Sequence, residues 1–193
     1  MEGDQEPPKR RTIRYPDYNY AMAGCYFITI CSYDKRPLFG RIENDGVILS
    51  KCGQVVLEEW LKTAEVRPLV DLDEFVIMPD HMHGILLLRE SNSIRELRAT
   101  HRLAPTFASD STQIARPTLV SGSIGAIIGQ FKSVVTKRVR FDNPLFDGPI
   151  WQRNYYEHVI RSEPALAKAR EYIANNPARW EIERAGNSEE PSW

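Results

Sequence analysis

Cysteine is scarce in this chain of 193 residues: Cys25, Cys31 and Cys52 are odd in number and form no C-x-x-C pair. That argues against a disulfide framework or a thiolate zinc site, and for a reducing compartment. Long apolar runs are also missing. The longest, Ile85 to Leu88, is far short of the ~20 residues a bilayer span requires. The amino-terminal stretch lacks the apolar core of a signal peptide. A cytoplasmic protein without a membrane partner is therefore expected. Neither charge sign dominates, and a formal net charge of -1 does not by itself announce a nucleic-acid binder. At 42% hydrophobic residues the chain can bury an ordinary core, which excludes wholesale disorder.

The even total hides an uneven distribution. Glu181, Glu183, Glu189 and Glu190 face only Arg184 near the carboxyl end, whereas residues 122–161 hold Lys132, Lys137, Arg138, Arg140, Arg153 and Arg161 against three acids. The chain divides accordingly into a basic and aromatic tail (1–20), one domain (21–180) and an acidic tail (181–193). In the first tail Arg11 and Arg14, with Tyr15, Tyr18 and Tyr20, suit a nucleic-acid backbone and its bases. Within the domain, periodicity lapses over about 90–119, which reads as a flexible insertion.

The remaining segments have clear periods. Tyr26 to Tyr33 is β-branched and aromatic, a core strand. Two short strands flank Asn44-Asp45-Gly46, a hairpin turn. Val56, Leu57, Trp60, Leu61 and Ala64 mark an amphipathic helix. A second helix spans Ser123 to about Val139, with Ile124, Ile127, Ile128, Phe131 and Val135 as its buried stripe. Lys132, Lys137 and Arg138 lie off that stripe, where they fit phosphate contacts and equally an ordinary solvated face. Trp151 to Ile160 suggests an edge strand plus a loop. A last helix begins at the N-cap Ser162 and is expected to stop at Asn176, before Pro177.

Between the two long helices lies Phe75-Val-Ile-Met-Pro-Asp-His-Met-His-Gly-Ile-Leu-Leu-Leu88, two apolar strands joined at Pro79-Asp80. Alternate strand residues share a face, so His81 and His83 project together roughly 7 Å apart along the backbone. Two imidazoles on one face can grip a divalent ion if a third ligand arrives from elsewhere. On the last helix, Ala165, Ala169, Tyr172 and Asn176 fall within about 60° of one another. The two alanines leave room near the tyrosine hydroxyl, and the Asn176 amide oxygen suits a hard cation. Two imidazoles, an amide oxygen and a phenol make a set that leaves open metal positions for phosphate oxygens.

The segments VIMPDHMHGILLL and YIANNP resemble those of the HUH single-strand DNA transposases with one catalytic tyrosine, in the REP-associated tyrosine transposase branch. SGSIGAIIGQFKSVVTKR and WQRNYYEHVIR are similar to other stretches of that group, so the likeness runs from about Arg11 to Trp180. It implies a ferredoxin-like α+β domain: an antiparallel sheet with the H-x-H on a central strand and helices packed on one face. It implies Tyr172 as nucleophile and His81 and His83 as metal ligands, with Asn176 where wider relatives carry a Gln ligand. The cofactor would be Mg²⁺ or Mn²⁺, and the partner single-stranded or hairpin DNA touched by Arg11, Arg14, Lys132, Lys137, Arg138 and Arg153. The implied reaction is nicking and rejoining through a 5′-phosphotyrosine, by a monomer or a homodimer. Two other readings compete: a catalytically silent nucleic-acid binder, and a cupin-like two-histidine oxygenase. The latter usually places a Glu three or four residues after H-x-H, whereas the first acid after His83 is Glu90.

Overall fold

The structure, a computed structural model, describes residues 22–44, 46–90 and 122–184, with side chains up to Trp180. The whole amino-terminal tail, with Arg11 and Arg14, the end of the acidic tail and most of the expected insertion lie outside the described residues. The elements run β1 (Gly24–Cys31), β2 (Gly40–Glu43), β3 (Gly46–Leu49), α1 (Lys51–Glu65), β4 (Val70–Ile77), β5 (His81–Leu88), α2 (Ile124–Asp142), β6 (Tyr156–Ile160) and α3 (Glu163–Arg184). Four strands form an antiparallel sheet in the order β4-β5-β1-β6, and β2-β3 is a separate hairpin. With the hairpin set aside, β1-α1-β4-β5-α2-β6 is the ferredoxin-like arrangement expected, and β5 lies inside the sheet. The histidine strand thus has hydrogen-bonding neighbours on both sides. An α+β fold of this kind excludes the all-β barrel of the cupin-like reading.

Helix starts follow local chemistry. The Ser50 and Ser123 hydroxyls accept from the Gly53 and Ala126 amides, and Ser162 does the same for Ala165. At the hairpin, Asn44 takes the left-handed conformation (φ 52°) that asparagine tolerates in such turns.

The two sheet faces are unequal. Tyr26, Ile28, Ile30, Met82, Leu86 and Leu88 face Val56 and Trp60 of α1 and Ile124, Ile128, Phe131 and Val135 of α2, forming the larger core. On the opposite face a small cluster of Phe27, Ile85 and Ile160 receives Ala169 and Ile173 of α3. The two crossover helices therefore share one face, as the ferredoxin-like pattern implies, while α3 covers the other. Helices on one face only is thus corrected: α3 carries its own apolar stripe, and α1 and α2 already fill the first side.

The expected stop at Asn176 is also corrected, because α3 continues through Pro177 to Arg184. A helix-interior proline costs ~3 kcal/mol through its lost donor and ring clash. The extra turn buries Trp180 to 8% exposure. Burial of an aromatic ring at roughly 25 cal/mol per Å² over ~150–250 Å² is of the same order and offsets that cost.

Candidate active site

His81 and His83 stand on the α3 face of β5, as the strand alternation requires, with ring centroids 4.6 Å apart. Each ring is held by a neighbour. The Nδ1 of His81 donates to the Asp80 carboxylate at 2.6 Å, so Nε2 is the ring nitrogen left for a ligand. The Nδ1 of His83 meets the Thr29 hydroxyl at 2.9 Å, and Phe27 stacks on the same ring at 5.3 Å between centroids. Thr29 pairs with His83 in the β1-β5 ladder, so sheet register delivers this hydroxyl. Asp80 is positioned by the turn around it, where Ser32 N–H bonds the Asp80 carbonyl and Phe39 N–H bonds that of Pro79.

Burial, with a second contribution from the neighbouring His81, pushes the His83 pKa well below its usual value. The ring is therefore neutral at pH 7, the form that can ligate a metal.

α3 lies across this pair. The Tyr172 ring meets His83 edge-on at 5.2 Å and Phe27 at 6.0 Å. Trp180, two helical steps of four further on, sits 5.9 Å from His81. Asn176 lies midway between them on the same helix face and is fully buried. Neither its amide oxygen nor its amide nitrogen has a hydrogen-bond partner among the described residues. A buried orphan amide costs roughly 1–3 kcal/mol, so a sequence that keeps one there has a use for it.

These groups fit a divalent cation: two imidazoles anchored from behind, plus a buried amide oxygen with no other partner among the described residues. Among the described residues, no cluster of three His, Cys, Asp or Glu side chains could hold a metal ion. A third protein donor beside the histidines would thus come from the amide. Ala169, expected to leave space near Tyr172, is instead fully buried in the small cluster and lets α3 approach the sheet closely.

The basic residues do not all converge here. α2 packs on the far side of the sheet, so Lys132, Lys137 and Arg138 are separated from the histidines by the sheet itself. The Lys132 ammonium donates to the Gln152 and Asn154 carbonyls, and burial lowers its pKa to about 8. Arg138 pairs with Glu58 and Glu59 of α1 at 2.7 and 2.6 Å. Lys137 and Arg153 are exposed. A cation that sequence reasoning passed over lies by the phenol ring: the Arg179 guanidinium is 6.0 Å from the centre of the Tyr172 ring. Thr29, Phe27 and Trp180 were likewise missed. Trp180 follows Tyr172 by eight residues on one face, a signal masked by the assumption that Pro177 ends the helix. Thr29 could be assigned only once β1 was known to pair with β5.

All three cysteines are free thiols. Among the described residues no helix is long and apolar enough to cross a membrane.

No protein-family model matches the chain. The solved structure of a REP-associated tyrosine transposase bound to a REP hairpin superposes with a TM-score of 0.55, covering 86% of this chain and 73% of that one at 20% identity. At that identity the likeness establishes a shared fold. A Haemophilus influenzae protein described only as uncharacterized is 42% identical over 177 residues, covering 89% of this chain and 90% of its own. This chain belongs to one family with that Haemophilus influenzae protein.

Proposed function

We propose that the chain is a metal-dependent enzyme that nicks and rejoins single-stranded DNA through Tyr172. The observation that carries this reading is the stacking of one helix face on one strand face: Tyr172 against His83, Trp180 against His81, and the orphan amide of Asn176 between. The shared fold with a transposase solved on a REP hairpin favours hairpin DNA with single-stranded flanks as the substrate.

His81 and His83, through Nε2, and Asn176, through its amide oxygen, would hold Mg²⁺ or Mn²⁺, which supplies positive charge to the phosphate oxygens at the reacting centre. The chain's own groups do the remainder. Tyr172 supplies the nucleophile: its phenolic oxygen forms a bond to phosphorus as the 3′ oxygen leaves, giving a 5′-phosphotyrosine and a free 3′-OH. The phenol gives up its proton and the departing oxygen gains one, so the step is balanced without nucleotide hydrolysis. Reversal with another 3′-OH joins strands. A phenol with pKa near 10 needs local positive charge to react at neutral pH. Arg179 above the ring supplies some of it. Trp180, Phe27 and the buried α3 seam keep water from the sheet side of the site.

Labelled single strands and hairpins incubated with Mn²⁺ or Mg²⁺ should give an SDS-stable protein–DNA adduct, and Tyr172→Phe should abolish it. An adduct that persists in Tyr172→Phe would transfer the role to Tyr156. Its strand position pairs with Thr29 on the His83 face, whereas the Tyr155 hydroxyl donates to Glu157. Binding without any adduct from the wild-type protein would leave the silent binder as the function.

A further inference from the structure

Among the described residues, Tyr172 is carried by the one helix on its face of the sheet. The opposite sheet face is buried by two helices, whereas α3 alone covers this one, over a small apolar cluster of Phe27, Ile85 and Ile160 with its own Ala169 and Ile173. At 100° per residue, Arg170 lies roughly 90° to one side of the buried stripe of α3, and Tyr172 roughly 70° to the other. The two residues occupy opposite flanks of the helix.

Arg170 is not solvated freely. Its Nε reaches both Asp73 carboxylate oxygens at 3.0 and 3.3 Å, and a terminal nitrogen reaches Oδ2 at 2.7 Å. This is the two-pronged guanidinium–carboxylate geometry that fixes direction as well as distance. Strand alternation aims Asp73: Val70 and Leu72 join the larger core, so Asp71 and Asp73 project toward the α3 face. The β4-β5 register shifts between Leu72 and Phe75, so Asp73 and Glu74 form an irregularity in the ladder. The carboxylate is further fixed by the Glu74 amide, which donates to Oδ1 at 2.7 Å. Glu163, 3.7 Å from Arg170, is a weaker companion and is itself exposed.

We propose that Asp73 and Arg170 are positioning residues for Tyr172: the Asp73 carboxylate on β4 clamps one flank of α3 and so prevents the roll that would lift the phenol on the other flank from His83. The inference rests on Tyr172 being the nucleophile. A roll of roughly 20° moves a side-chain tip ~6 Å from the helix axis by about 2 Å. Misplacement on that scale costs on the order of a hundredfold in a reaction that depends on alignment. The register shift itself serves the larger core, because it keeps Phe75 and Ile77 on the face of Val70 and Leu72; the Asp73–Arg170 pair is additional to that core.

The test is a double-mutant cycle on Asp73→Asn and Arg170→Gln, with Arg170→Lys as the variant that keeps charge and loses the fork. The adduct-forming rate is measured at saturating hairpin DNA with Mn²⁺, and hairpin affinity by anisotropy. Each single substitution should slow the rate by about ten- to a hundredfold with affinity within about twofold. Arg170→Lys should fall in between, and the double variant should be no slower than the slower single. Wild-type rates in folded single variants, or losses that multiply in the double, overturn the proposal. The fluorine resonance of 3-fluorotyrosine at position 172, read without DNA or metal, separates this claim from the catalytic one. It should shift in Asp73→Asn, because the His83 and Phe27 rings shield it. An unmoved resonance defeats the clamp whatever the enzyme does, and a moved resonance in a protein that forms no adduct upholds the clamp while the nucleophile reading falls.

Discussion

The Tyr172 and His83 rings meet edge-on at 5.2 Å, although 89 positions separate them along the chain. That contact joins the small apolar cluster under α3 to the imidazole pair on β5, and the residues around it lead to separate measurable consequences.

Thr29 and Asp80 should govern metal affinity rather than stability. Each binds the Nδ1 of a histidine and leaves the other ring nitrogen for a ligand. Thr29→Val should weaken Mn²⁺ binding by about 10–100-fold, with Thr29→Ser restoring most of it. Isothermal titration provides the numbers, and equal affinities for all three proteins would remove Thr29 from the site.

Stability should fall with acidification in a window that His83 shares with His158, whose pKa burial also lowers. The folded pKa of His83 is depressed, chiefly by burial, so below the unfolded value near 6.5 the unfolded chain takes up a proton that the native state refuses. The unfolded state then binds more protons, and stability drops by up to ~1.4 kcal/mol per pH unit for each histidine as pH falls from about 6.5. Asp73, whose pKa Arg170 lowers, adds a loss of the same sign only near and below the ordinary carboxylate range. Denaturant midpoints from pH 7.5 to 5 should slope downward, and His83→Gln should flatten that slope.

Asn176 should show effects of opposite sign on two measurements. Removing an amide with no partner relieves a desolvation cost, so Asn176→Leu should leave the metal-free protein as stable or more stable, by up to ~1–3 kcal/mol. Metal affinity should drop by about 10–100-fold. A variant that is destabilised and yet binds Mn²⁺ normally would mean that the amide is structural.

Gly84 should tolerate no side chain. A Cβ there would stand 2.5 Å from Cζ2 of Trp60, which is fully buried beneath the histidine strand. Gly84→Ala should cost about 1–3 kcal/mol through overpacking, seen as a lower midpoint in thermal or denaturant unfolding. The strain would fall on the residue next to His83, so Mn²⁺ affinity should fall in the same variant.

The sequence alone determined whatever depends on neighbours along the chain. Alternation put His81 and His83 on one face, and turn chemistry marked Pro79-Asp80 and Asn44-Asp45-Gly46. Helical spacing put Tyr172 and Asn176 together, and Ser162 started their helix. Those inferences hold because side-chain direction within a strand or helix follows from a fixed period. Tertiary structure decided which of these faces meet. It set α3 against the histidine side of the sheet and α2 with Lys132 and Arg138 on the other, and it brought Thr29 to His83 through strand register. It also carried α3 through Pro177, because burial of Trp180 beside His81 outweighs a local preference to stop. Such outcomes depend on apolar area and register gathered from distant segments, which no local period encodes.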